Sequence, residues 1–164
     1  NLPQLPPASR LLLRGGPQVL AAAADALGLP RSDAVCRAVR SHGRAALWLG
    51  PDERLLLGPA DAAAEMTGLL QSALAAMPHS LVEISQAQAA FELSGARAAT
   101  ALNTGCPLDL DPASFPVDMC TRTVFAKAQI VLWRTSPETL RVETARSFAP
   151  YVTKILALAA REQT

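Results

Sequence analysis

Apolar and polar positions run through this chain in two rhythms, a period of two and a period near 3.6, and the order in which they switch repeats once. Arg10–Arg14 encloses three consecutive leucines and predicts a short strand. Gly15-Gly16 turns it, Pro17 suits the first turn of a helix, and Leu20, Ala23, Ala24 and Leu27 fall on one helical stripe. Gly28 and Pro30 stop that helix. Ala34–Arg40 and Arg44–Leu49 predict strands joined by a tight hairpin at Ser41-His42-Gly43. Gly50-Pro51-Asp52-Glu53 is a second turn, and Arg54–Leu57 the next strand. Pro59 opens a long helix to about Met77, with Met66, Leu69, Leu70, Ala73, Leu74 and Met77 as its stripe. Gly68 inside it costs about 1 kcal/mol relative to Ala.

The second half repeats this grammar. After the apolar run Leu81–Ser85, Phe91 and Leu93 alternate about Glu92 as in a half-buried strand. Gly95 permits a sharp turn, Ser94 is placed to cap a helix over 96–103, and Gly105 ends it. Thr121–Ala126 and Gln129–Trp133 predict a hairpin, and Ser136-Pro137-Glu138 turns into Thr139–Glu143. Ser147 and Pro150 mark the start of a last helix with Phe148, Tyr151, Val152, Ile155, Leu156 and Ala159 on one stripe. Leu132-Trp133 falls where Leu47-Trp48 falls, each before a turn, a strand and a helix. The expected fold is α+β: two βαβββα-like halves, with antiparallel or mixed sheets and helices packed on one side. Residues 1–9 are expected to be an extended tail, 10–79 the first α+β half and 80–164 the second α+β half. Residues 104–120 predict a long ordered loop, which is uncommon without a role.

Composition narrows the function. The chain has 164 residues, 50% of them hydrophobic and 18% charged, with a net charge of +1. Seven basic and six acidic residues in 1–79, and eight of each in 80–164, leave no basic face for nucleic acid. No apolar run reaches the ~20 residues of a membrane span, and no basic leader precedes an apolar stretch. The opening lacks an initiator Met, as a trimmed chain does. Three scattered cysteines, Cys36, Cys106 and Cys120, suit a reduced, cytoplasmic setting.

Candidate chemistry is sparse. Cys106 needs a base to act as a nucleophile, and the histidines are His42 in a hairpin turn and His79 in a linker. The simpler reading of Cys106 is a small buried hydrophobe. No CxxC, HxxxH or HxH spacing suggests a metal. Asp109 and Asp111, flanked by prolines, suit turn chemistry better than acid–base work or Ca²⁺ binding. The strand–Gly–helix turns at Gly15-Gly16 and Ser94-Gly95 could receive an anion, but GxGxxG and GxxxxGK[ST] are absent. Arg44, Arg122, Lys127 and Arg134 read as solvated strand-end charges by default, an acidic partner or folate tail being the other use. No catalytic, cofactor-binding or metal-binding residue is assigned. The loop instead offers an interaction surface, with Cys106, Pro107, Leu108, Leu110 and Phe115, joined by Trp48, as its expected interface residues.

Several strings carry a resemblance over residues 10–161. They are the run from Ala46 to Pro59, which contains Leu-Trp-Leu-Gly-Pro-Asp-Glu; Leu93-Ser-Gly-Ala-Arg-Ala-Ala; Gly105-Cys-Pro-Leu-Asp-Leu; Phe115-Pro116; Leu132-Trp133; and Arg146-Ser-Phe-Ala with Tyr151. In their order and spacing the chain resembles the gamma-subunit family of heterotetrameric sarcosine oxidases. The resemblance implies alpha, beta and delta partner subunits. It also implies a complex that demethylates sarcosine oxidatively to glycine, with hydrogen peroxide and either formaldehyde or methylene-tetrahydrofolate as products. FAD, FMN, NAD, tetrahydrofolate and zinc are implied on the partners, with none in this chain. It further implies a fold like the amino-terminal part of the glycine-cleavage T-protein, with residues 80–164 as the half that resembles it. Folate enzymes of that type carry an acidic pair in the strand that corresponds to Phe125–Val131, whereas this sequence has no Asp or Glu between Asp118 and Glu138. The resemblance therefore implies a structural and assembly subunit. A free-standing folate-binding module and a Cys106 thiol enzyme are the alternatives.

Overall fold

A computed structural model of the chain describes residues 4–162, with side chains described through residue 159. It divides into two compact units, one spanning Pro6–Ser85 and one built from Gln86 onward together with Gln4 and Leu5.

The first unit runs β1 (Ser9–Gly15), α1 (Pro17–Leu27), β2 (Ala38–Ser41), β3 (Arg44–Gly50), β4 (Glu53–Gly58), α2 (Ala63–Leu74) and β5 (His79–Glu83). Its antiparallel sheet has the order β2-β3-β4-β1-β5. Strand parity sets the helix-facing side, because residues directly opposite one another share a face. One cross-strand row is Leu13–Arg54–Trp48 and the next is Leu11–Leu56–Ala46–Val39. Leu11, Leu13 and Leu56 pack with Val19, Ala23 and Leu27 of α1 and Met66, Leu70 and Leu74 of α2. Pro17 stands in the first turn of α1, and Gly28 closes the helix in the left-handed region at φ 68°. At the β2–β3 hairpin His42 and Gly43 both have positive φ, 50° and 76°, as a two-residue type I′ turn requires.

The second unit runs β6 (Gln88–Ser94), α3 (Ala98–Asn103), β7 (Cys120–Phe125), β8 (Ala128–Ser136), β9 (Thr139–Ala145), a 3-10 turn at Arg146–Phe148 and α4 (Ala149–Glu162). The sheet is antiparallel in the order β6-β9-β8-β7. Leu93, Ile130, Leu132, Leu140 and Val142 form its core with Leu102 of α3 and Val152 and Leu156 of α4. Gln4 bridges to Phe91, and the Leu5 amide donates to Ala90 O at 2.8 Å, so the segment before β1 pairs with β6.

The α+β reading holds, and each unit carries the βαβββα order. Several local expectations shift. β5 pairs with β1 in the first sheet, although the sequence reading counts residues 80–83 with the second half. The helix expected from Pro59 to Met77 is confined to Ala63–Leu74, because Pro59–Ala62 form a turn closed by Ala62 N–H on Pro59 O. The strand expected from Ala34 begins at Ala38, since Cys36 adopts a positive φ of 56°. Val19 rather than Leu20 is the deeply buried member of the first turn of α1. Ser94 does not cap α3; its hydroxyl meets that of Thr139 across the β6–β9 ladder. Phe148, expected on the buried stripe of the last helix, is 43% exposed.

Candidate functional site

Residues 104–119 connect α3 to β7, and the buried Arg134 is the side chain that ties them to the sheet. Ile130, Leu132 and Arg134 share one face of β8, the face that packs the core. Arg134 is 2% exposed. Its Nε donates to Phe115 O, its Nη2 to Leu110 O and its Nη1 to Pro137 O, each at 2.6 Å. The Arg134 amide also donates to Met119 O and its carbonyl accepts from the Asp118 amide. A planar guanidinium is the side chain that can satisfy several converging carbonyls at once. Burial pulls the Arg134 pKa down, and the negative charge of Asp111 pulls it up.

Turn chemistry organises the tip. The Asp111 amide donates to Asp109 Oδ1, the Ala113 amide to Asp111 Oδ1, and the Ser114 hydroxyl to Asp109 Oδ2 at 2.6 Å. The Ser114 hydroxyl and the Asp111 amide hold the Asp109 carboxyl below its usual value. Asn103 ties the other arm, donating to Cys106 O and Leu108 O. The two aspartates thus do the loop-building work their Pro-flanked spacing suggests.

The expected interface residues separate on this scaffold. Cys106, Leu110 and Phe115 are buried in the unit's own core, where their contact area is already used. Pro107 is exposed and Leu108 half-buried, so of the expected loop residues these two reach the surface, beside the exposed Asp109, Asp111, Pro112, Ala113, Ser114 and Val117. Trp48 lies in the first unit, half-buried, with the Arg54 guanidinium carbon 6.0 Å from its ring centroid. It lines a cavity of about 460 Å³ beside α1. Sequence reasoning expects Arg134 to be a solvated strand-end charge, and the structure corrects this, because the side chain is buried and spent on three carbonyls. The signal was present, because a residue two beyond Leu132 on a regular strand points where Leu132 points.

Among the described residues, Cys106 is buried in a cluster of apolar side chains and no histidine joins it. His42 and His79 are exposed, and His79 Nδ1 lies 2.7 Å from Met77 O. Among the described residues, no three His, Cys, Asp or Glu side chains are grouped to hold a metal. A folate ring would need a carboxylate near its nitrogens, and residues 119–137 contain none. Glu143, buried in β9, is held by Arg141 through Nε and Nη2 at 2.8 and 2.6 Å. The acidic pair that the resemblance places in this strand of folate enzymes therefore has no counterpart in residues 119–137.

The model of the sarcosine oxidase, gamma subunit family matches residues 14–162. The chain belongs to this family. It is similar to the sarcosine oxidase subunit gamma of Corynebacterium sp. (strain P-1), 36% identical over 133 residues, covering 80% of this chain and 64% of that one. It is also similar to the subunit gamma of an Arthrobacter species, 37% identical over 117 residues, covering 71% and 56%. The chain therefore spans less than two thirds of the length of these relatives. A chain of the heterotetrameric sarcosine oxidase from Corynebacterium sp. U-96 superposes with a TM-score of 0.91 and 33% identity, over 99% of this chain and 84% of that one. The glycine cleavage system aminomethyltransferase T from Bartonella henselae shares the fold, with a TM-score of 0.73 and 11% identity over 94% of this chain and 44% of that one. The loop carrying Gly105-Cys-Pro-Leu-Asp-Leu is the segment that Arg134 clamps.

Proposed function

We propose that this chain is a non-catalytic structural and assembly subunit of a flavin-dependent heterotetrameric sarcosine oxidase. The close superposition on a chain of that heterotetramer over 99% of the length carries the reading. The apolar surroundings of Cys106 and the missing folate carboxylate support it. On this reading, alpha, beta and delta subunits hold FAD, FMN, NAD, tetrahydrofolate and zinc. They oxidise sarcosine to glycine in the cytoplasm, with hydrogen peroxide and formaldehyde or methylene-tetrahydrofolate as the other products. The clamped loop presents Pro107 and Leu108 to a partner, with Cys106, Leu110 and Phe115 as its internal support, and Trp48 marks a second contact area. Co-expression with the genes beside its own, followed by purification through a tag on this chain, tests the reading. A yellow complex that forms peroxide on addition of sarcosine is expected. A colourless single species would overturn it.

The fold shared with aminomethyltransferase T favours a second reading, a free-standing folate-binding module. Calorimetry of the purified chain with reduced folate separates the two. Heat of binding supports the module, and no heat with no thermal shift removes it.

A further inference from the structure

The second sheet ends on β7 at one side and on β6 at the other, and the two edges are unlike. β7 exposes Arg122, and Lys127 stands exposed in the turn that follows it. Charge on an edge strand works against pairing with another chain. β6 carries one charged residue, Glu92, in Gln88–Ser94, and Ala89, Ala90, Phe91 and Leu93 are all buried. The free side of a mostly apolar strand offers a row of amides and carbonyls, a template on which a further strand can form.

The chain itself occupies that side. Gln4 forms an antiparallel bridge to Phe91, and the Leu5 amide donates to Ala90 O at 2.8 Å. Pro6 and Pro7 follow, and neither has an amide to donate, so the ladder does not run on past Leu5. The segment is lightly held: Gln4, Pro6 and Pro7 are exposed and Leu5 is half-buried. Phe91 packs with Ala89 and Ala149, a cluster to which the segment adds no buried residue. The segment therefore does little for the core, yet its backbone sits on the carbonyl that an adding strand would use.

We propose that residues 4–7 guard the β6 edge: Gln4 and Leu5 occupy its pairing groups, Pro6 and Pro7 end the ladder, and together they keep β6 of a second copy of this chain from adding there. Two β6 strands meeting antiparallel across a two-fold axis would make one continuous sheet from two copies, the self-complementary contact that an uncovered edge permits. The inference does not depend on the subunit assignment.

Leu5→Pro in the full chain removes the amide that holds the guard, whereas Leu5→Ala keeps it. Sedimentation equilibrium over a concentration series gives the association of each, and hydrogen exchange locates it. Leu5→Pro should keep its thermal midpoint within about 5 °C of wild type and self-associate about tenfold or more tightly. Leu5→Ala should associate as wild type does. In dilute Leu5→Pro, exchange over residues 88–94 should rise about fivefold, and at high concentration it should fall again as a second copy covers the edge. Deletion of residues 1–7 serves the same purpose if Leu5→Pro does not fold. A folded variant that associates no more than wild type overturns the proposal. So does association that protects residues 120–125 and leaves 88–94 open, or association of Leu5→Ala equal to that of Leu5→Pro.

Discussion

Arg134 Nη2 donates to the carbonyl of Leu110 across 24 residues of sequence, at 2.6 Å and shielded from solvent. With the parallel bond to Phe115 O, this makes one strand residue the anchor of a loop that has no regular structure of its own. Buried carbonyls need donors, and the loop's own amides are not arranged as a ladder to supply them. The clamp therefore does for residues 106–119 what strand pairing does for the sheet.

Replacing Arg134 should be among the most destabilising single changes in the second unit. Arg134→Met removes the donors to three carbonyls, and the expected loss is about 3 kcal/mol or more. Arg134→Lys keeps the charge but not the planar fork, and should recover only part of it. Urea unfolding gives the energies. Hydrogen exchange should rise first at residues 106–119, and uniform exchange across the unit would argue against a local clamp.

Two glycines should respond to Ala with opposite signs. A Cβ on Gly105 would sit 2.9 Å from Phe125 Cε2 and 3.0 Å from the Ala126 amide nitrogen. Phe125 is fully buried and the other obstacle is backbone, so Gly105→Ala should cost about 1–3 kcal/mol. Gly68 lies exposed inside α2 with nothing within 4 Å of its added Cβ, and Gly68→Ala should gain about 0.5–1 kcal/mol. Denaturant midpoints of the two variants check both signs.

The elements were legible in the sequence where local rules and tertiary packing agree. Pro17 and Gly28 bracket α1 within a residue, and His42-Gly43 mark a turn whose backbone few other pairs adopt. Where the two levels part, the reading drifted. A helical stripe built on Leu20 differs by one position from the one built on Val19, and only the direction of the sheet decides between them. Cys36 is left-handed for reasons no propensity encodes. Arg134 and Arg54 are charged, so composition sends them outward, while strand parity sends them inward beside Leu132 and Leu56. Parity prevails because carbonyls were waiting at the end of each side chain. The loop's position was readable, but not which of its side chains are spent inside: Leu110 and Phe115 look like surface anchors in the sequence, yet both are in the unit's core with Arg134 holding their carbonyls.

Cys106 gives a direct check on catalysis. It is packed with Leu102, Leu110 and Phe115, and a hydroxyl there would be desolvated. Cys106→Ser should cost about 1–2 kcal/mol in unfolding and, on the proposed assembly role, should leave sarcosine-dependent peroxide formation by the co-purified complex in place. Cys106→Ala should be similar in activity. Loss of turnover in both variants, with the complex intact, would restore the thiol-enzyme reading.

Strong acid should weaken the hold on the loop tip. Asp109 accepts from the Ser114 hydroxyl and the Asp111 amide, and both favour its ionised form, so its folded pKa lies below the ordinary 3.8. A carboxyl whose pKa is depressed on folding binds fewer protons in the native state than in the unfolded one. Its contribution is thus present in full above the unfolded value and is lost as pH falls from about 3.8 through the lower, folded value. Asp109→Asn removes the charge and should flatten this part of the pH–stability curve, leaving wild type and variant to converge in strong acid. Thermal midpoints of both proteins between neutral pH and about pH 2.5 would reveal the convergence. Parallel curves over that range would place the acid sensitivity elsewhere.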